Sequence, residues 1–402
     1  MTPNDVLEAK AEEEMKVYEA ELRKEMGLDN DEIGHFVKPK EAKFLKQSRE
    51  NTTILFGGLT AAHDYLIEQA LRGLGYKVKA LDCPENIALT LGKEYGNRGQ
   101  CNPTYYTVGN LVKTLRGLEE DGLSKKEINE QYVFLTAGAC GPCRFGMYEA
   151  EFRKATRDSG YEGFRVLLFD QEEGLSSASG DEVDESEGGL DFTKDFYMAL
   201  LSAIMLGDLI NDMGHQIIPH EVNKGDTERA VAEAKRLVGI GCHDGAKPEP
   251  ILHEVRKLFE AIPCDFTRVK PKVKITGEFW AMTTEGDGNY HMVEWLESEG
   301  AQCLSEPVST WVDYLMYLQK LDTMKTFGLP DKEGKVSRIK SLKTWALASV
   351  MKTFFRKRYD KFRKILGARP FALPDQKKIH KLAQAYYNVD LRGGEGHMEV
   401  GK

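Results

Sequence analysis

Two cysteines separated by Gly-Pro, Cys140 and Cys143, stand in residues 136–152, TAGACGPCRFGMYEAEF, after the apolar run Tyr132-Val133-Phe134-Leu135 and before a stretch with helical periodicity. Thiols so placed support two chemistries. At a helix N-terminus the macrodipole acidifies a thiol, and a CxxC pair there exchanges disulfides. The same two thiolates also serve as metal ligands. Against exchange, Ala139 precedes Cys140 where such dithiol sites usually carry Trp, and no X-Pro dipeptide follows between Pro142 and Pro219.

A third thiol sharpens the choice. Cys101 lies two residues before Pro103, which suits the first turn of a helix, so Cys101 sits in another loop entering another helix. Loops of this kind converge at one edge of a parallel sheet. Cys101, Cys140 and Cys143 would then face one pocket, with Gly99, Gly138 and Gly141 letting backbone N–H groups approach the sulfurs. Three thiolates fit a cubane cluster whose fourth iron takes an external ligand. Structural zinc needs a fourth protein ligand, which His63 or another cysteine would supply.

The elements that must hold these loops are readable from Thr53 onward. TILFGG is a β-rich run ending in glycines, AAHDYLIEQALRGLG an amphipathic helix, and YKVKALD a second strand; QYVFLTAG, the CGPC loop, GMYEAEFRKATRDSG and FRVLLFD repeat the pattern. Two βαβ units imply a parallel sheet that binds ligands at the carboxyl ends of its strands. The expected class is α/β: a Rossmann-like parallel-sheet domain, a second and smaller α/β segment short of strands, and helical extensions. The expected boundaries are a charged helical extension over 1–50, the Rossmann-like domain over 51–190, the second segment over 191–335 and a helical region over 336–402. KVKITGEFWAM is the clear strand of the second segment and QCLSEP a further one; GLSSASGDEVDESEGGLD, residues 174–191, is an acidic surface loop.

Composition narrows the function classes. With 402 residues, 41% hydrophobic and 30% charged, the chain is an ordinary globular protein, and a formal charge of −9 argues against general nucleic-acid binding. The N-terminus is too charged for a secretory signal, which points to the cytoplasm. FYMALLSAIMLGDLI, residues 196–210, is shorter than the ~20 residues a membrane span needs and reads as a buried helix. Seven cysteines are too sparse for a disulfide scaffold.

Four separated segments, GKEYGNRGQCNPTYYTVGN, TAGACGPCRFGMYEAEF, ITGEFWAMTTEGDGNY and RGGEGHMEVGK, give the chain a resemblance to the 2-hydroxyacyl-CoA dehydratase and benzoyl-CoA reductase superfamily. The branch it looks most like is that of activase-related proteins akin to the double-cubane cluster proteins. The resemblance covers roughly residues 50–402. It implies a 4Fe-4S or double-cubane (8Fe-9S) iron–sulfur cluster on Cys101, Cys140 and Cys143. It implies too a low-potential reductase or dehydratase component, acting on a small molecule such as an acyl-CoA and fed by a separate ATP-hydrolysing activator with its own cluster. Chains of that branch continue past the GGEGHM-like segment into a further cysteine loop, whereas this sequence stops at Lys402. A second subunit or second copy, docked against residues 270–310 and 385–402, is the expected complement. The alternatives are a thiol–disulfide oxidoreductase using the CGPC pair and a non-catalytic cluster-binding scaffold.

The remaining candidates are single residues. Cys83 follows a strand and can join the cluster pocket; Cys242 beside His243, Cys264 and Cys303 stay unassigned. Glu278 and Trp280 are candidates for the wall of a substrate cavity. Glu94, with Arg98 and Tyr106 near Cys101, is a candidate proton donor. TTEGDGNY follows a strand and precedes a helix, so its amides could hold a polar group, yet Glu285 and Asp287 oppose a phosphate. The basic run at 337–370 suits CoA phosphates, an anionic membrane or an acidic partner, or is simply a solvated face over an apolar one.

Overall fold

In a computed structural model of the chain, the structure describes residues 44–138, 144–170, 188–330, 338–390 and 396–402, with scattered helical positions between 15 and 24. Ala42–Lys402 form one compact unit and Met1–Glu41 a separate one.

The larger unit is built on a parallel sheet. Strand β1 (Thr53–Phe56) alternates Ile54 and Phe56 on one face with Leu55 on the other, all buried, as a strand covered on both faces must. Helix α1 (Ala61–Gly73) follows, started by Thr60, whose side chain accepts the His63 N–H. Then come β2 (Val78–Ala80), α2 (Asn86–Tyr95), α3 (Asn102–Glu120), α4 (Lys125–Gln131), β3 (Tyr132–Gly138), α5 (Tyr148–Asp158) and β4 (Arg165–Asp170). The sheet order is β2-β1-β3-β4, and every pairing is parallel. The chain leaves β1 toward β2 and later crosses back to β3, so the switch point lies at the carboxyl ends of β1 and β3. The loop after β1 is residues 57–60. The loop after β3, with Cys140 and Cys143, lies outside the described residues.

Each face of the sheet has its own core. On one side Leu55 and Phe134 pack with Leu111, Val112 and Leu115 of α3 and Phe152 of α5. There α2 and α3 cross with their backbones in contact: a Cβ at Gly92 would stand 1.9 Å from the Tyr105 carbonyl oxygen, and one at Gly109 1.8 Å from that of Ala88. On the other side Ile54 and Phe56 pack with Leu66 and Ile67 of α1 and with α6 (Lys194–Ile217), α7 (Asp226–His243) and α8 (Pro248–Glu260). Helix α6 holds the greasy stretch read from the sequence. With the turn that follows, Lys194–His220, it is long and apolar enough to cross a membrane, and 61% of its apolar window is buried within the fold.

A second, two-stranded parallel sheet pairs β5 (Lys272–Lys274) with β6 (Gln302–Leu304) across α9 (Phe279–Thr283) and α10 (Met292–Ser298). The strand expected over KVKITGEFWAM stops at Lys274. Gly277, at φ 151, turns the backbone, and Glu278 caps α9 by accepting the Ala281 N–H. The chain continues with α11 (Val308–Lys325), α12 (Arg338–Ile365), α13 (Gln376–Ala383) and α14 (Gly396–Gly401). Asp313 of α11 is fully buried and takes Lys352 Nζ at 2.6 Å and Arg356 Nη1 at 2.7 Å from α12. Phe355, Tyr359 and Phe362 on α12 complete the core around α6 and α8. The architecture is therefore mixed α/β, a small parallel sheet with extensive helical additions.

Candidate functional site

The cavity at the sheet's carboxyl edge grows from three pieces. The first is Thr60, the N-cap that ends the β1 loop. The second is a polar stripe on otherwise apolar α6, where Asp208, Asn211, Asp212 and His215 recur at helical spacing on one face. The third is the segment 282–297 with the start of α11. Together they enclose about 170 Å³.

The floor is a row of buried hydrogen bonds. Thr60 Oγ1 lies 2.7 Å from His63 Nδ1, and His63 Nε2 lies 3.1 Å from Asp208 Oδ1. Asp208 also accepts the Val308 and Ser309 N–H groups at 2.6 and 2.8 Å, a carboxylate on the N-terminus of α11. The order hydroxyl, imidazole, carboxylate is that of a nucleophilic triad. Yet the Thr60 oxygen also accepts from Asn211 Nδ2 at 2.9 Å and from the His63 N–H at 3.3 Å. Both lone pairs are spent within the chain, so the row braces α1, α6 and α11 rather than activating a nucleophile.

The walls are acidic. Asp208, Asp212, Glu285, Glu294, Glu297 and Glu306 line the cavity with His63, His215 and His291, and among the described residues neither Lys nor Arg does. Most of these acids have partners. Glu306 pairs with Lys274 and Lys402, Glu294 with His291, and Glu297 with His215 Nδ1 at 2.7 Å. Burial opposes a charge on His215, but the Glu297 hydrogen bond and charge outweigh it and hold its pKa above the ordinary value. Burial raises the Asp212 pKa. Glu285 accepts only a long 3.3 Å bond from the Ala61 N–H and, among the described residues, pairs with no cation. Asn289, 5% exposed, donates Nδ2 to the Thr284 carbonyl, which leaves Oδ1 a buried acceptor with no donor.

Behind the loop that follows β1, Asp64 accepts the Gly58 N–H at 3.2 Å through Oδ2, and its other oxygen has no partner. Burial pushes this carboxyl up to about 7. Nearby, Cys83 donates its S–H to the Glu285 carbonyl at 3.1 Å; desolvation first, and then the Glu285 charge, push the thiol up to about 11.

The residues singled out in the sequence do not assemble as expected. Cys101 is the N-cap of α3, with Sγ 3.0 Å from Thr104 Oγ1 and 3.7 Å from Tyr148 Oη. Burial raises the Tyr148 pKa, and the Cys101 and Glu278 charges add to it, so Glu278 faces this corner while capping α9. Glu94 is exposed on the last turn of α2. Trp280 is buried and stacks on Tyr106 at 5.5 Å, so Tyr106 belongs to packing and to a hydrogen bond with Asn86. Cys303 is buried, and Cys242 and Cys264 pack against the main core. Cys140 and Cys143 lie outside the described residues. Both ring nitrogens of His63 are engaged, which removes it as a ligand. Conversely, Asp208, Asn211, His215 and Asn289 were missed. For the three on α6 the signal was faint but present: polar residues at i, i+3 and i+7 in an apolar helix rarely face the core unpaired; Asn289, in the turn Gly286–Asn289, had none.

Structure and comparisons overturn the iron–sulfur expectation. Among the described residues no group of three or more His, Cys, Asp or Glu side chains could hold a metal ion. Cys83, Cys101, Cys242, Cys264 and Cys303 are all free, with no disulfide-forming pair among them. A 4Fe-4S or double-cubane cofactor, a low-potential reductase or dehydratase activity, a disulfide exchange role and a cluster scaffold all lose their basis. So does the resemblance to the dehydratase and benzoyl-CoA reductase superfamily, since no protein-family model, no curated protein and no solved structure matches this chain.

Proposed function

We propose that this chain binds a small organic cation, a primary amine of a few carbons, in the cavity between α1, α6 and the 282–297 segment. The observation that carries the reading is the Glu285 carboxylate, which among the described residues has no cationic partner, in a wall that also holds Asn289, whose Oδ1 is buried without a donor. A buried acceptor without a donor costs about 1–3 kcal/mol, which a ligand N–H recovers on binding. An ammonium group supplies three donors and the charge that Glu285 lacks. The size fits the class: 170 Å³ is below the range of pockets that hold drug-sized ligands. Binding rather than turnover is the role, because the Thr60 hydroxyl is fully engaged.

Calorimetric titration of the chain with ethylamine, putrescine and agmatine, against acetate, phosphate and glycerol as matched controls, tests this. Amine binding that falls at least tenfold in Glu285→Gln is the expected result. Binding of the anions alone, or amine binding unchanged by Glu285→Gln, overturns it.

A further inference from the structure

A second cavity, of about 380 Å³, lies at the opposite end of α1, between the end of that helix, the first half of α6, the turn joining α7 to α8, and α12. It shares no residue with the acidic one. Its walls are mostly apolar: Ala70 and Leu74, Met198 and Leu206, Val238 and Ile251. Cys242 belongs to the same wall, and burial pushes its thiol up to about 11, so it stays neutral and acts as a small apolar group.

Among the described residues one Lys or Arg side chain enters this space. Arg358 of α12 donates Nη2 to Ser202 Oγ at 3.0 Å and lies 5.1 Å from the Phe362 ring. Its Nε is buried with no acceptor, and among the described residues no carboxylate pairs with it. Two carboxylates, Asp195 and Asp244, line the same cavity, and Glu249 lies close enough to act on Arg358. Glu249 takes Lys361 Nζ at 2.6 Å, Asp244 holds His243 at 3.0 Å, and Asp195 sits in the first turn of α6, where the helix N-terminus favours it. Desolvation lowers the Arg358 pKa, and the charge of Glu249, which is itself paired with Lys361, offsets only part of that fall. Arg cannot shed its proton at any working pH, so an unpaired, half-desolvated guanidinium beside apolar walls is costly unless an anion joins it.

We infer that the cavity between α1, α6, the α7–α8 turn and α12 binds a medium-chain aliphatic monocarboxylate, its carboxylate on Arg358 and its tail along Leu206, Val238 and Ile251. A carboxylate presents two oxygens to the guanidinium nitrogens that face the cavity. The tail replaces water against apolar side chains, so neither half of the molecule suffices alone.

The test is titration of the whole chain with octanoate, 1-octanol and butyrate, followed by calorimetry. Octanoate binding at least tenfold tighter than either control is expected, falling at least tenfold in Arg358→Met and in part recovered in Arg358→Lys. Ala199→Trp, which fills the cavity and leaves Arg358 in place, abolishes octanoate binding while leaving amine binding at the other cavity intact. It decides the matter if Arg358→Met does not fold. Octanol binding as tightly as octanoate, octanoate binding unchanged in Arg358→Met or in Ala199→Trp, or no octanoate binding, overturns the inference.

Discussion

Asp287 places a carboxylate oxygen 2.7 Å from the backbone nitrogen of Asn86, the first residue of α2. Glu285, two residues earlier, reaches the Ala61 N–H at the start of α1. One short turn thus supplies two carboxylates to two helix N-termini at the edge of the parallel sheet, where the dipoles and free N–H groups favour negative charge. These bonds tie the 285–287 turn to the first sheet, beside the Trp280–Tyr106 stack. Replacing Asp287 by Ala removes one such bond and lowers stability by about 1 kcal/mol, as loss of an N-terminal cap does. Urea unfolding measures it, and an unchanged midpoint refutes the fastening role.

Asp64 titrates far from an ordinary carboxyl. Its pKa rises from 3.8 to about 7 on folding, chiefly through burial, so the folded chain holds this proton more tightly than the unfolded one. The stabilising contribution is complete below pH 4 and is lost as pH rises through 7. Asp64→Asn, which cannot ionise, is expected to exceed the parent in stability by about 2–4 kcal/mol at pH 8, with the gap closing toward pH 4. Unfolding curves at pH 4.5, 6 and 8 check the trend; a constant difference rules out the assigned titration.

Cys83 is exposed, yet it should alkylate sluggishly. Raising the thiol from 9.0 to about 11 cuts the thiolate fraction about a hundredfold, while the greater basicity returns roughly tenfold in nucleophilicity. The net expectation is a rate about tenfold below that of a small free thiol at pH 7.5. Peptide-resolved iodoacetamide labelling reads it. Glu285→Gln should speed the reaction severalfold by removing the nearby charge.

Two glycines of α3 should respond in opposite directions. Gly109 lies against the Ala88 carbonyl, so Gly109→Ala forces α2 and α3 apart and costs about 3 kcal/mol or more. Gly117, with nothing within 4 Å of its added Cβ, gains up to about 1 kcal/mol as Ala from helix propensity alone. Thermal melts of both variants make the comparison, and equal shifts contradict the crossing geometry.

Asp313→Ala strands Lys352 and Arg356 half-buried without their anion. A loss of about 3–5 kcal/mol is expected, recovered in part when Lys352→Met and Arg356→Met are added. Denaturant unfolding of the single and triple variants decides it.

Much of the fold was legible because β1, β3 and β4 carry apolar runs and the edge strand β2 alternates buried Val78 with exposed Lys79, and all four fall within the segments so read. The second sheet was legible only in part. Its strands are three residues long, and Gly277 ended one where the sequence continued apolar. The cavity was nearly illegible. Asp208 draws its donors from Val308 and Ser309, a hundred residues downstream, and no local pattern announces that contact. The cysteines misled for a related reason: a thiol before a helix has a defined local setting, but which side chains it meets depends on packing. Cys101 met Thr104 and Tyr148.

The late arrival of α12 bears on how the chain is made. The first sheet is complete by Asp170 and α6 ends at Ile217, but Phe355, Tyr359 and Phe362 follow more than a hundred residues later. At about 5–20 residues per second, a ribosome takes on the order of ten seconds to deliver them. Until they arrive the nascent domain shows the apolar side of α6, and of α8 once that helix is made, to the medium. That is the stretch of synthesis in which a holdase chaperone would find its binding surface, and in which overexpression would first produce aggregate.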